Sequence, residues 1–151
     1  MDVSGTWHGQ YRHELEREGP PVTFILRLAQ DATGHVIGTV SEGPGGMPDE
    51  GRIVGEYRRG RLTFLKLMPV AHVTGADGNS VDVGAFLASI GHQLAKPIEH
   101  PQLLYEGRLG DGGGSMAGEW RLDRLVAPLK DGGAFHLDGG RGTWTATRAE
   151  A

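Results

Sequence analysis

The sequence predicts an all-β protein: an eight-stranded antiparallel up-and-down β-barrel with one α-helix inserted between strands five and six. Two features predict this fold class: a recurring glycine-polar-aromatic unit, and stretches in which apolar and polar residues alternate. A chain of 151 residues is long enough for one domain, residues 1–151, with a substantial core. The unit occurs as Gly5-Thr6-Trp7, Gly9-Gln10-Tyr11, Gly55-Glu56-Tyr57, Gly118-Glu119-Trp120 and Gly142-Thr143-Trp144.

In a β-strand this unit places its glycine and its ring on the same face, because residues two apart point the same way. Such alternation of small and large residues suits the interior of a small barrel, where a ring needs a gap beside it. The unit opens the first strand and recurs in the last one. We therefore predict that strands one and eight pair and close the sheet.

Strands one to five follow one another along the chain, joined by turns or loops. Strand one covers residues 3–13, where Trp7 and Tyr11 share one face and polar residues occupy the other. Lys66 lies on the apolar face of strand five, so it is either an interior cation or reaches an open end of the barrel. The inner faces of strands two to five are formed by Val22, Phe24, Leu26 and Leu28, by Val36, Gly38 and Val40, by Ile53, Gly55 and Tyr57, and by Leu62, Phe64 and Met68.

Two stretches interrupt this pattern before strand six. Residues 43–51 are rich in glycine and proline and are predicted to form a loop, either a flexible connector or a mobile gate. Residues 70–101 form the insertion, in which Ser80 can cap a helix over about 81–95 and Pro97 can end it. Glycines weaken this helix in isolation, so we expect packing to hold it.

Strands six to eight complete the predicted barrel. A looser stretch, residues 125–140, separates strands seven and eight. The inner faces of the last three strands are formed by Leu103, Tyr105, Gly107 and Leu109, by Met116, Gly118, Trp120 and Leu122, and by Gly142, Trp144 and Ala146.

The composition narrows the classes of function. A net charge of −4 argues against broad binding of nucleic acid or of anionic membranes. The absence of cysteine excludes disulfides, thiolate metal sites and a cysteine nucleophile. No run of 18 apolar residues occurs, and Met1 leads directly into the first strand without a leader pattern. We expect a cytoplasmic protein.

The two ends of the chain resemble the calycins, the superfamily that includes lipocalins, fatty-acid-binding proteins and avidins. Gly5-Thr6-Trp7 matches the Gly-x-Trp that opens lipocalin-like and avidin-like barrels. Lipocalins also place an arginine near the last strand against that tryptophan, and Arg148 is the matching residue here. The resemblance implies a barrel with an internal ligand. It does not imply biotin, because the polar biotin-binding residues of avidins have no counterpart after Trp7.

Catalytic and metal motifs are absent from the sequence. His72, His92 and His100, together with Glu99, have the residue types of a zinc site, but their spacing matches no metal motif, so we predict no metal site. No Gly-x-Ser-x-Gly motif is present, and the glycine run 112–114 lacks the lysine of a P-loop. The sequence names no cofactor and no catalytic residue.

The leading hypothesis is a barrel that binds a small apolar or aromatic molecule in its mouth, with Lys66 as an anion contact and the inserted helix as a lid. An eight-stranded barrel is just wide enough to be filled by side chains or to hold one small ligand. A protein-interaction or homo-oligomerisation module with a filled barrel therefore stays open, as does an isomerase or hydrolase using an interior Tyr, His or Glu. The predicted ligand-binding residues are Trp7, Tyr11, Tyr57, Lys66, Tyr105 and Trp120.

Overall fold

Eight antiparallel strands close into a barrel in the computed structural model, which describes residues 2–14, 20–74, 80–98 and 100–149. The barrel strands are β1 (Gly5–His13), β2 (Val22–Gln30), β3 (His35–Glu42), β4 (Gly51–Arg58), β5 (Arg61–Leu67), β8 (Leu103–Leu109), β9 (Ser115–Leu122) and β12 (Gly140–Arg148). The order around the barrel is β1-β12-β9-β8-β5-β4-β3-β2. All eight predicted strands are present, and the fold class is confirmed.

The first and last strands close the barrel. Trp7 on β1 is opposite Arg148 on β12 and Leu26 on β2, and Tyr11 is opposite Trp144 and Val22. The predicted pairing of the first and the last barrel strand, β1 and β12, is thus confirmed. Closure leaves no unpaired edge among the eight strands.

Glycines on the inner face make room for rings from other strands. A Cβ atom on Gly107 would lie 2.5 Å from Cζ2 of Trp144, and one on Gly9 would overlap the ring of Phe24. The ring beside Gly9 comes from the adjacent strand β2, and the ring beside Gly107 reaches across the barrel interior from β12, two strands away. This explains why small and large residues alternate on these strands.

One end of the barrel is closed by Trp7 and Arg148. The Trp7 side chain is completely buried, and its Nε1 donates to the carbonyl oxygen of Val3 at 2.9 Å. The Arg148 guanidinium lies 4.4 Å from the centre of the Trp7 ring and donates to the carbonyl oxygens of Ser4 and Gly113. The contact between arginine and tryptophan that the lipocalin resemblance implies is present.

The insertion leaves the opposite end of the barrel and contains a hairpin and a short helix. The hairpin consists of β6 (His72–Thr74) and β7 (Ser80–Asp82), and α1 (Val83–Ser89) follows. The predicted helix between the fifth and sixth barrel strands, β5 and β8, is confirmed, but it is shorter than predicted.

Two local features set the bounds of this helix. Asp82, not Ser80, caps it by accepting from the amide of Ala85 at 2.9 Å. Gly91 adopts a positive φ of 87°, which an α-helix does not contain. Beyond it, Ala95 donates to the carbonyl of Pro128, so pairing with another segment replaces helical hydrogen bonds.

A second hairpin, which the sequence pattern did not reveal, packs with the insertion. It is formed by β10 (Leu125–Pro128) and β11 (Ala134–Leu137) between β9 and β12. We call the insertion and this hairpin together the cover. The cover encloses a second small hydrophobic cluster, which is separate from the barrel core. Its members are Ala71, Val73, Val83 and Leu87, with Val81, Phe86, Leu94, Ile98, Leu125, Leu129, Phe135 and Leu137 around them.

Candidate ligand site at the covered end of the barrel

A buried ion pair lies inside the barrel at the end from which the cover emerges. Nζ of Lys66 contacts Oε2 of Glu42, and the side chains are 2% and 0% exposed. Lys66 faces inward because it continues the alternation of Phe64 on β5. Glu42 faces inward because it follows Val40 by two positions and is the last residue of β3. The interior-cation interpretation of Lys66 is confirmed.

Each charged group of the pair has further partners. Oε1 of Glu42 accepts from the hydroxyl of Tyr11 at 3.1 Å and from the amide of Met47 at 2.8 Å. Nζ of Lys66 lies 3.5 Å from the hydroxyl of Tyr105. Among the described residues, no buried side-chain nitrogen or oxygen lacks a hydrogen-bond partner. The ion pair is thus solvated by protein groups in place of water, which is the condition for burying charge.

Aromatic rings surround the ammonium group. Nζ of Lys66 lies 4.8 Å from the ring centre of Tyr11 and 5.4 Å from that of Tyr105, distances at which a ring attracts a cation. Tyr105 stacks on Phe64 at 4.9 Å and on Trp120 at 6.5 Å. These three rings belong to the hydrophobic core of the barrel.

Burial controls the ionisation of the two tyrosines beside the pair. It raises the pKa of Tyr105 well above the ordinary value for tyrosine, and the nearby carboxylate of Glu42 adds to the effect. Burial also raises the pKa of Tyr11, and the charge of Lys66 only partly opposes this. Both hydroxyls therefore stay protonated and can act as hydrogen-bond donors.

These shifts predict a loss of stability in alkali. A group whose pKa is raised by folding stabilises the protein below its unfolded-state pKa, and this contribution is lost as the pH rises above it. Above about pH 10, each tyrosine should lower the free energy of unfolding by about 1.4 kcal/mol per pH unit. Urea unfolding at increasing pH measures the slope. Tyr11→Phe and Tyr105→Phe should each make it shallower, and slopes identical to that of the wild type would contradict the assignment.

His100 belongs to the same electrostatic environment. Burial lowers the pKa of His100 below the ordinary value for histidine, and the charge of Lys66 acts in the same direction. Nδ1 of His100 lies 2.8 Å from the carbonyl oxygen of Pro101, which identifies this nitrogen as the donor. A neutral imidazole from the cover therefore lies in the field of the ion pair.

The predicted ligand-binding residues separate into two groups. The structure brings Tyr11, Lys66, Tyr105 and Trp120 together at the covered end. Trp7 belongs to the opposite end, against Arg148.

Tyr57 also lies away from the ion pair. Lys66 is opposite Ile53 on β4, and Tyr57 is four residues further along that strand, opposite Leu62. At the rise of a β-strand this separates Tyr57 from the level of Lys66 by roughly 13 Å along the barrel. The structure therefore places Tyr11 and Tyr105 beside Lys66, whereas Tyr57 lies elsewhere in the barrel.

Glu42 is the residue that sequence reasoning missed. The prediction begins strand three with Val36, Gly38 and Val40 and does not name Glu42, although Glu42 continues the same inward series by one more step. A strand extended by two residues would have placed a carboxylate on the inner face, and a buried lysine needs such a partner. The signal was therefore present in the alternation.

A cavity of about 670 Å³ lies on the outside of the barrel, away from the ion pair. Its wall consists largely of outward-facing side chains of β8, β9, β12 and β1, among them the exposed ion pair of Arg141 and Glu14. Within the described ranges no three metal-ligating side chains come together, and Glu99 lies outside these ranges. No described helix is long and apolar enough to cross a membrane.

No protein-family model, no curated protein and no solved structure matches the chain significantly.

Proposed function

We propose that the barrel binds a small apolar or aromatic molecule at its covered end, and that an anionic group of this ligand contacts Lys66. The observation that carries the proposal is the buried pair of Lys66 and Glu42 among aromatic rings. A buried ion pair is weak as a source of stability, because well-packed apolar residues of similar volume are often as good or better. A few convergent polar groups among aromatic and apolar side chains are instead typical of ligand-binding sites.

Glu42 occupies the place that a ligand anion would take. It ends β3 immediately before the glycine-rich loop, residues 43–50, and the amide of Met47 in that loop binds its carboxylate. A movement of the loop would withdraw Glu42 from Lys66. The ammonium group would then donate to a carboxylate or sulfonate of the ligand, while Tyr11 and Tyr105 supply hydroxyl donors and ring faces.

The packing of the cover is consistent with its displacement when a ligand enters the barrel. Its hydrophobic cluster is separate from the barrel core, so it can shift as a unit while the barrel strands stay paired. The likeness of the barrel and of the Trp7–Arg148 contact to calycins supports the same proposal, since the resemblance implies an internal ligand.

Two fluorescent probes test the proposal: anilinonaphthalene sulfonate, an aromatic anion, and phenylnaphthylamine, its neutral relative. Both should bind the wild type, and the anion should stabilise Glu42→Gln against heating more than it stabilises the wild type, because the competing carboxylate is gone. The double variant Glu42→Gln/Lys66→Met should bind the anion at least about tenfold more weakly than the wild type and the neutral probe equally well.

Lys96→Met, at an exposed lysine of the cover, is the matched control and should bind both probes normally. Near-UV circular dichroism of each variant separates binding to the folded protein from binding to a loosened one. Equal anion affinity in the wild type and the double variant would contradict the role of Lys66. Failure of the wild type to bind either probe would contradict the proposed function.

The ring contacts in the interior favour a second candidate function, an interaction module whose barrel is filled. In this case the apolar face of α1 is not the docking surface, because Val83 and Leu87 are buried within the cover. A partner surface would have to lie on another face, and neither probe would bind.

A further inference from the structure

A row of apolar side chains crosses the outer face of the barrel. Ile37, Val54, Leu65 and Leu104 lie on β3, β4, β5 and β8, and each is directly opposite the next across neighbouring strands. Ile37 is 62% exposed and Val54 is 42% exposed. We call this row the outer stripe.

The outer stripe departs from the pattern of the rest of the barrel. A sheet with one face in the core normally carries polar side chains on the other face. β12 follows this rule, with Thr143, Thr145 and Thr147 outward and exposed. Four consecutive strands break the rule at the same level, so the departure forms a continuous apolar surface.

Charged rows of opposite sign flank the outer stripe. The next row of outward side chains towards the cover contains the exposed arginines Arg27 and Arg52. Thr39, on the strand between them, lies directly opposite both. On the other side, the adjacent row contains Glu56 and Glu106, aligned through Thr63.

These glutamates also form exposed ion pairs with arginines that lie one row further from the outer stripe. Glu56 pairs with Arg58 at 3.1 Å, and Glu106 pairs with Arg61 at 2.7 Å. Exposed pairs of this kind contribute little to stability, and a carboxylate can accept from several donors at once. The glutamates therefore remain able to bind a further cation.

We propose that a second copy of this chain docks on the outer stripe and forms a twofold-symmetric dimer. In such an interface the same patch is used twice, so the patch must complement itself. A twofold axis parallel to the outer stripe places apolar row on apolar row. It also places the arginine row of each copy on the glutamate row of the other, so that Arg52 faces Glu56 of the second copy.

The size of the patch sets the expected strength of the dimer. Four strands at their usual spacing, with three rows of outward side chains, present a face of roughly 20 by 20 Å. Standard interfaces bury about 800 Å² per partner, so this one is small. Because barrel closure leaves no strand edge to pair, side-chain contacts must supply the affinity. We expect reversible self-association with a dissociation constant in roughly the micromolar range.

Sedimentation velocity over concentrations from about 1 μM to about 1 mM tests this proposal. The wild type should shift from monomer to dimer, and Val54→Glu should raise the dissociation constant at least about tenfold. Ile90→Glu is the matched control, since Ile90 is also an exposed apolar residue, at 55% compared with 42% for Val54, but lies on the cover. Circular dichroism should show both variants folded, because both positions face solvent. A wild type that stays monomeric throughout, or equal effects of the two variants, would overturn the proposal.

A charge exchange tests the orientation of the two copies. Arg52→Glu should weaken the dimer, because it places glutamate against Glu56 of the second copy. Arg52→Glu/Glu56→Arg should restore it to within about threefold of the wild type, since the opposite charges are exchanged across the axis. Adding salt should weaken the wild-type dimer, as expected for exposed charge pairs. A double variant as weak as the single one would overturn the proposed arrangement.

Discussion

Replacing Glu42 with leucine is expected to lower the free energy of unfolding by about 3–5 kcal/mol, because Lys66 would keep a buried charge without a counter-ion. The Lys66 side chain is 2% exposed, so water cannot replace the carboxylate without a rearrangement. The hydroxyl of Tyr11 and the amide of Met47 would also lose their acceptor. Urea unfolding, followed by tryptophan fluorescence, measures the change.

The double variant Glu42→Leu/Lys66→Met is the decisive comparison. Removing both charges removes the desolvation cost of both, so this variant should be about as stable as the wild type, or more stable. The double-mutant cycle then yields a large coupling between the two positions. A loss of less than about 1 kcal/mol in Glu42→Leu would show that the pair is hydrated, and additive effects would show that the two charges act independently.

Trp7→Ala is expected to lower the free energy of unfolding by about 3–5 kcal/mol. The ring is fully buried, its Nε1 bonds to Val3, and the Arg148 guanidinium covers one face. Alanine would leave a cavity and would remove the support of the arginine that ties the last strand to the N-terminal segment.

His8→Ala is the matched control for Trp7→Ala. His8 is the next residue on β1 but is exposed on the outer face, so its truncation should change the stability by no more than about 0.5 kcal/mol. Equilibrium unfolding in urea compares the two variants directly. A loss below about 1 kcal/mol in Trp7→Ala would mean that the closed end does not depend on this ring.

The barrel strands could be predicted because alternation is a local property. In β1 and β12 each residue's face follows from its neighbours two positions away, and the same unit, Gly-Thr-Trp, occurs in both strands. The hairpin of β10 and β11 could not be found this way. It is half-exposed and short, and its partners, Leu94 and α1, belong to a segment distant in sequence.

The length of α1 shows a second limit. Residues 83–95 contain apolar residues at helical spacing, and that spacing predicted a helix extending to about residue 95. The structure ends it at Ser89, and Gln93 and Ala95 bond to Lys130 and Pro128 instead. Helical periodicity indicates which residues share an apolar face. Where the helix ends depends instead on whether another backbone segment competes for its hydrogen bonds.

The fold class and the face on which each barrel residue lies follow from the sequence alone. The inward orientation of Tyr11, Lys66 and Tyr105 follows from alternation, since the side-chain period of a strand is two residues. The height of each residue along the barrel does not, because it depends on the stagger between strands, which is a property of the folded sheet. The stagger brings Glu42 to Lys66 across an intervening strand and places Tyr57 near the other end. It also aligns Ile37 and Val54 with Leu65 and Leu104 into one outer stripe.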